Sequence, residues 1–182
     1  MTVGSEQPGR PMRRSERAIT DQEALDEIIQ TAEVLFLALR DEPAPYVVPV
    51  CFGIERDTLY VHSALEGKKI DLLLAHPDVG FSACTPITIL PGSTACDFSA
   101  AARSVVGTGR ARIVEDEEER RKGLDSIMRH YEAGAAGKFV YRPGSLARTS
   151  VIAIRVDTLH GKNTGELPAV DSTRPKASGP IP

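Results

Sequence analysis

Pro45-Tyr46-Val47-Val48-Pro49-Val50-Cys51-Phe52-Gly53-Ile54-Glu55-Arg56-Asp57-Thr58-Leu59-Tyr60-Val61-His62-Ser63 is the stretch on which the fold turns. Two runs rich in β-branched and aromatic residues, Tyr46–Ile54 and Thr58–His62, are separated by the polar turn Glu55-Arg56-Asp57. That spacing reads as two strands joined by a tight connection. A third run, Val34–Leu39, precedes them across Asp41-Glu42-Pro43. Three short sequential strands are most simply an antiparallel meander.

Upstream, residues 1–17 are polar and end in the basic run Arg13, Arg14, Arg17, which reads as a flexible arm. Thr20-Asp21-Gln22-Glu23 has the pattern of a capping box, and Leu25, Ile28, Ile29 and Ala32 follow at helical spacing. Downstream, Gly67 to Ala75 reads as a short helix with Ile70, Leu73 and Leu74 on one face, ended by His76-Pro77. Val79–Cys84 reads as a strand that either stops there or runs on to Leu90, and Ser104–Ile113 as another. Glu115–Tyr131 is a charged helix with an apolar stripe of Leu124, Ile127, Met128 and Tyr131. Residues 133–149 are Gly- and Ala-rich and give no clear pattern, and Val151–Val156 alternates as a last strand. The expected organisation is an arm over 1–17, one domain over 18–162 and a disordered Pro/Ser/Gly-rich tail over 163–182. Segments 1–11 and 166–182 hold little apolar surface, so their removal is expected to leave the melting temperature nearly unchanged. About six strands with connecting helices predict a mainly β (α+β) fold, a small antiparallel barrel.

The 182 residues suffice for one buried core, and 41% hydrophobic with 26% charged residues is ordinary for a soluble globular chain. A net charge of −3 argues against a nucleic-acid surface. No apolar run has the length of a membrane span, and residues 1–12 lack the apolar core of a signal peptide. Cys51, Cys84 and Cys96 show no CxxC spacing and no Cys/His cluster, so neither a disulfide framework nor a metal site is expected, and the expected location is cytoplasmic. Cys51 and Cys84 fall in apolar runs and read as small core residues, Cys96 as an exposed thiol.

No GxGxxG or Walker sequence is present, so any nucleotide must be held differently. Gly67-Lys68-Lys69 opens a helix, where the dipole disfavours cations and favours anions. It reads either as a phosphate-binding corner of backbone N–H groups and ammonium groups, or as two solvated lysines. His62 and Ser63 close the preceding strand and face either that ligand or solvent. Arg103 pairs with either a phosphate or a surface carboxylate. Gly107 and Gly109 within a strand mark either a flat ring lying against the backbone or barrel curvature. His76 and His130 read as solvated, and no hydrolytic triad is visible.

Taken together, Pro45–Gly53, Leu59-Tyr60-Val61-His62-Ser63-Ala64, Glu66-Gly67-Lys68-Lys69-Ile70-Asp71, Arg103–Ala111 and His160-Gly161-Lys162 resemble the pyridoxamine 5′-phosphate oxidase-like FMN-binding split barrels, in their nitroimidazole-resistance branch, over roughly residues 12–162. The resemblance implies a split β-barrel homodimer with two FMN molecules between the subunits. It implies that Pro49, Val50, Cys51 and Phe52 lie along the flavin ring, with His62, Ser63 and Ala64 beside it. Lys68 and Lys69 would grip the phosphate. Arg103, Ser104, Val105 and Val106 would contribute contacts on the barrel wall, from either the same chain or the partner, and Lys162 would approach cofactor or substrate. His62 matches the histidine near flavin and substrate and is the implied catalytic residue. The implied activity is electron transfer from NAD(P)H through FMN to a small acceptor such as a nitroaromatic or quinone. The alternatives are a flavin-binding or redox-sensing protein without turnover and a deazaflavin F420-dependent reductase. The chain lacks the basic C-terminal signature of vitamin B6 oxidases, so pyridoxamine phosphate is not implied as substrate. Haem binding through a terminal histidine is not implied either, since 163–182 contains none.

Overall fold

The structure, a computed structural model, describes residues 12–132 and 139–165. After a single 3₁₀ turn at Ser15–Arg17 come β1 (Ala18–Ile19), α1 (Gln22–Thr31), β2 (Leu35–Leu39), β3 (Tyr46–Val50), β4 (Phe52–Glu55) and β5 (Thr58–Ser63). Then follow α2 (Lys68–Ala75), β6 (Asp78–Cys84), β7 (Thr88–Leu90), β8 (Ser99–Ala101), β9 (Arg103–Ile113), α3 (Glu117–Tyr131), α4 (Pro143–Leu146) and β10 (Ser150–Asn163). The expected tails 1–11 and 166–182, and 133–138 of the Gly/Ala-rich segment, lie outside the described residues.

One antiparallel sheet carries the order β3-β2-β6-β9-β10-β5-β4, with β1 paired to β10. Its two edges, β3 and β4, are consecutive in sequence and separated by Cys51 alone. A chain that passes from one edge strand to the other in one residue forces those edges together, so the sheet curls into a barrel closed through Cys51. The predicted antiparallel barrel is thereby observed, with the expected single strand Tyr46–Ile54 split in two. β10 is central rather than terminal: it pairs with β5 through Ser150–Arg155 and with β9 through Ile152–Asn163, well past the expected end at Val156.

Alternation places Leu35, Leu37, Leu39, Phe52, Leu59, Val61, Phe81, Val105, Ile152 and Ile154 inside the barrel. α1 plugs one end with Leu25, Ile28 and Ile29. Each such aliphatic side chain removed from water contributes about 1.5–3 kcal/mol. The cap of α1 is Asp21, which accepts the Ala24 N–H at 2.9 Å, in place of the expected Thr20. α3 lies across β4 and β5, covering Tyr60, Val151 and Ala153 with Leu124 and Ile127. Its own start is capped by Asp116, which accepts the Glu119 N–H at 2.7 Å.

Several sequence readings are corrected. Gly107 and Gly109 leave room for protein atoms rather than for a ring: a Cβ would stand 2.3 Å from the Phe81 ring at Gly107 and 2.4 Å from the Arg155 carbonyl oxygen at Gly109. β6 ends at Cys84, and the run towards Leu90 becomes a separate hairpin strand paired with β8. Cys51 is exposed and Cys84 only half-buried, because both fall on the outward alternation. His130 is half-buried, its Nε2 lies 2.8 Å from the Ala32 carbonyl oxygen, and its ring packs on Phe52.

Candidate functional site

α2 lies across the barrel end against β2 and β9, so its first turn stands at the rim. Gly67 precedes it with φ 123°, a conformation that favours glycine, and the space a Cβ would occupy is open. Gly67 accepts the Ile70 and Asp71 N–H groups, and no side chain caps the helix. The N–H groups of Lys68 and Lys69 are therefore left open, as at any uncapped helix start. The two lysines differ. Lys68 Nζ is 2.7 Å from Asp41 Oδ2 and 5.0 Å from the centre of the Tyr46 ring, which offsets its unfavourable place at the dipole's positive end. Lys69 is half-buried, forms no ion pair among the described residues, and is pushed below the ordinary lysine range by burial. Two open N–H groups, an ammonium group without counter-charge and an uncrowded glycine fit a phosphate monoester.

At the barrel closure the expected ring contacts divide by alternation. Pro49 and Cys51 are exposed, Val50 is half-buried, and Phe52 is fully buried in the core, so only its backbone is available there. His62 follows Val61, the partner of Phe52, and stands exposed beside the Cys51 break, with half-buried Ser63 and exposed Ala64 after it. Sequence reading missed Tyr131, which it took only as part of an apolar stripe. The Tyr131 hydroxyl accepts the Phe52 N–H at 3.2 Å and donates to the Glu33 carbonyl at 2.8 Å, pinning the end of α3 to the closure. Burial first, and Cys51 close by, push its pKa up to about 12, so it remains protonated.

The remaining candidates lie at the far end of β10. Lys162 and Ser104 are cross-strand partners on the outer face, both half-buried, with exposed Val106 two positions on. Val105 is fully buried and offers only backbone. Arg103 donates from Nη1 and Nη2 to the two carboxylate oxygens of Glu27 at 2.7 and 3.0 Å, while its Nε is buried without a partner. The carboxylate reading of Arg103 therefore replaces the phosphate one. Its Glu27 partner is held below the usual carboxylate range by that guanidinium.

β10 begins opposite Ser63 and ends opposite Arg103. His62 and the Ser104/Lys162 pair thus face opposite ends of that strand, while Val106 shares one outer cross-strand row with Ser82, Phe36 and Pro49. Two hollows of this protomer lie away from these residues: one of about 280 Å³ is lined by Asp57, Thr58, Arg110, Arg112 and Arg155, another of about 460 Å³ by Tyr60, Asp116, Glu118, Glu119 and Lys122. Their arginines already face carboxylates, Arg110 with Asp78, Arg112 with Glu119 and Arg155 with Asp157.

Residues 21–163 match the family described as pyridoxamine 5′-phosphate oxidase. A candidate 5-nitroimidazole antibiotic resistance protein from Bacteroides thetaiotaomicron is 35% identical, with 80% of this chain and 86% of that one covered and a TM-score of 0.71. The flavocytochrome Anf3 from Azotobacter vinelandii shares the fold at 19% identity, covering 94% and 92%, with a TM-score of 0.72. An FAD- and haem-binding protein from Mycobacterium smegmatis does so at 20% identity, covering 85% and 76%, with a TM-score of 0.73. Among curated proteins, none matches.

Proposed function

The chain belongs to the pyridoxamine 5′-phosphate oxidase family, and from that premise we propose that it is an FMN-dependent oxidoreductase, working as a homodimer on a small nitroaromatic or quinone acceptor. The observation that carries this reading is the open cation Lys69 at an uncapped helix start, beside a glycine that leaves room for a ligand. When bound there, FMN supplies the redox chemistry, taking hydride from NAD(P)H and returning electrons to the acceptor.

The chain's own residues bind, orient and move protons. Lys69 Nζ and the N–H groups of Lys68 and Lys69 hold the phosphate, and Lys68 joins them by sharing itself with Asp41. Pro49 and Cys51 present a surface at the closure against which a flat ring rests, while Tyr131, bonded to the Phe52 N–H, and His130, packed on the Phe52 ring, hold the adjoining residue. The imidazole of His62 donates a proton to the reduced acceptor. Ser104, Val106 and Lys162, on the outer face of β9 and β10, complete the site from the second subunit.

An absorption spectrum of the purified protein followed by one addition of NADH or NADPH tests the reading. A yellow protein that bleaches supports it; a yellow protein that does not bleach makes this a flavin carrier or sensor; a colourless protein that takes up no FMN on titration overturns it.

A further inference from the structure

Arg155 of β10 and Arg110 of β9 are direct cross-strand partners, which sets two like charges on β-carbons about 5 Å apart and costs the ladder stability. Arg112 shares their face two positions along β9, roughly 7 Å away. All three line one hollow of about 280 Å³. Ala153, the cross-strand partner of Arg112, also lines it, so a methyl group stands where a longer side chain would fill the space between Arg112 and Arg155. Thr58, the partner of Arg155 on β5, closes the far side.

Each arginine is held by one carboxylate. Arg110 Nη1 lies 3.4 Å from Asp78 Oδ1, Arg112 Nη2 lies 2.5 Å from Glu119 Oε1, and Arg155 Nη2 lies 3.0 Å from Asp157 Oδ1. In each pair one terminal nitrogen meets one oxygen, unlike the two-pronged grip of Arg103 on Glu27. None of those three carboxylates lines the hollow, so they fix the guanidinium groups from outside it. Each guanidinium has five N–H donors, and most of them stay unused among the described residues. Asp57, the one carboxylate in the lining, accepts from Thr58 Oγ1 at 3.2 Å. Three cations and one anion thus face the hollow, and the three arginine side chains are more than half exposed, open to a ligand from solvent.

We propose that this hollow binds a small molecule carrying a phosphate group. Phosphate oxygens match the planar donor forks of arginine, and a doubly charged group between Arg110 and Arg155 replaces their repulsion by a shared attraction. The volume lies below the roughly 300–1,000 Å³ of pockets for drug-sized ligands, which suits pyrophosphate or a sugar phosphate rather than a dinucleotide. Thr58 and His62 stand towards opposite ends of β5, about 13 Å apart along the strand, so the site is separate from the corner at His62 and does not depend on the flavoenzyme reading.

The test is calorimetric titration of the full chain at fixed ionic strength with inorganic pyrophosphate, ribose 5-phosphate and citrate. Wild type binds a phosphate probe saturably, and citrate more weakly; the tighter of the two phosphate probes shows whether the group is taken bare or as an ester. Arg110→Gln and Arg155→Gln each weaken that binding roughly tenfold or more, while Lys69→Ala leaves it unchanged. Arg155→Lys, which keeps the charge without the fork, melts as wild type does and still loses affinity, so a folding defect is not mistaken for a lost contact. A wild type that takes up neither phosphate probe overturns the proposal, as do arginine variants that bind like wild type. Citrate bound as tightly as phosphate overturns it too, because it reduces the site to a non-selective positive patch. Loss of binding in Lys69→Ala does the same by moving the phosphate to the start of α2.

Discussion

The two ends of β10 hold two basic groups that look alike in the sequence and differ in the structure. At the end opposite Arg103, charge is closed on itself: Arg103 grips Glu27 with two hydrogen bonds, Thr85 ties the strand backbone, and Thr164 ties Ala102. The strand opposite its other end, β5, carries exposed His62 and leads into α2, where Lys69 forms no ion pair among the described residues and the helix start has no side-chain cap. A closed pair contributes to the fold and has little left for a ligand. An open, half-desolvated cation costs the fold and remains available to an anion.

Substitutions at the open end should therefore change chemistry and leave stability alone, and those at the closed end the reverse. The largest expected effect is on His62→Ala, which should slow reoxidation of reduced flavin by ~10²–10⁴-fold while flavin affinity and melting temperature stay near wild type. Single-turnover reoxidation that is unchanged across several acceptors would show that the exposed histidine is inert. Next, Lys69→Ala should weaken FMN binding roughly ten- to a hundredfold, because a charge-assisted hydrogen bond contributes about 1.5–3 kcal/mol and about 1.4 kcal/mol is tenfold. Riboflavin, which has the ring without the phosphate, should bind the variant as it binds wild type. Lys68→Ala should lose less, since Asp41 already competes for that ammonium. The apo form of Lys69→Ala should melt no lower than wild type, since Lys69 forms no ion pair among the described residues and its dipole penalty is relieved. Retained discrimination between FMN and riboflavin would move the phosphate site elsewhere.

Arg103→Ala inverts the pattern. It should cost about 1 kcal/mol, seen as a melting point lower by about 2–4 °C, with FMN affinity within about threefold of wild type. A large loss of flavin without a loss of stability would show that the closed end is open after all. The smallest effect is in pH. Burial disfavours charged Lys69, so its proton leaves at a lower pH than that of an exposed lysine. The preference for FMN over riboflavin should decline as pH rises, sooner than an exposed lysine would allow, and should not decline in Lys69→Arg. Fluorescence titration at each pH reads it directly.

Most strands were legible because alternation survives in the sequence, as in Val79–Cys84 and Thr58–His62. The break at Cys51 was not, since Val48-Pro49-Val50-Cys51-Phe52 runs without a turn signal and the bend exists only because the barrel must close. β8 was missed because Ser99-Ala100-Ala101 has little strand preference. β10 was cut short because Asp157 to Lys162 reads as loop, although pairing with β9 holds it extended. The lysine corner was visible from Gly67-Lys68-Lys69. What separates the two lysines was not, because Asp41 reaches Lys68 from a distant turn and the burial of Lys69 is a property of the packed barrel rim.

The central place of β10 has a consequence for how the barrel comes together. Until that strand is made, the chain holds two ladders with no edge in common, β3-β2-β6-β9 and β4-β5, joined only by short connections. Each exposes a hydrogen-bonding edge along β9 or β5 that nothing else in the main sheet can cover. Pairings between strands so far apart in sequence form late and slowly, after the entropy of closing the long intervening loops has been lost. The nascent chain therefore passes through a stage with two sticky edges, and the rate at which β10 inserts between them sets how long it stays open to aggregation.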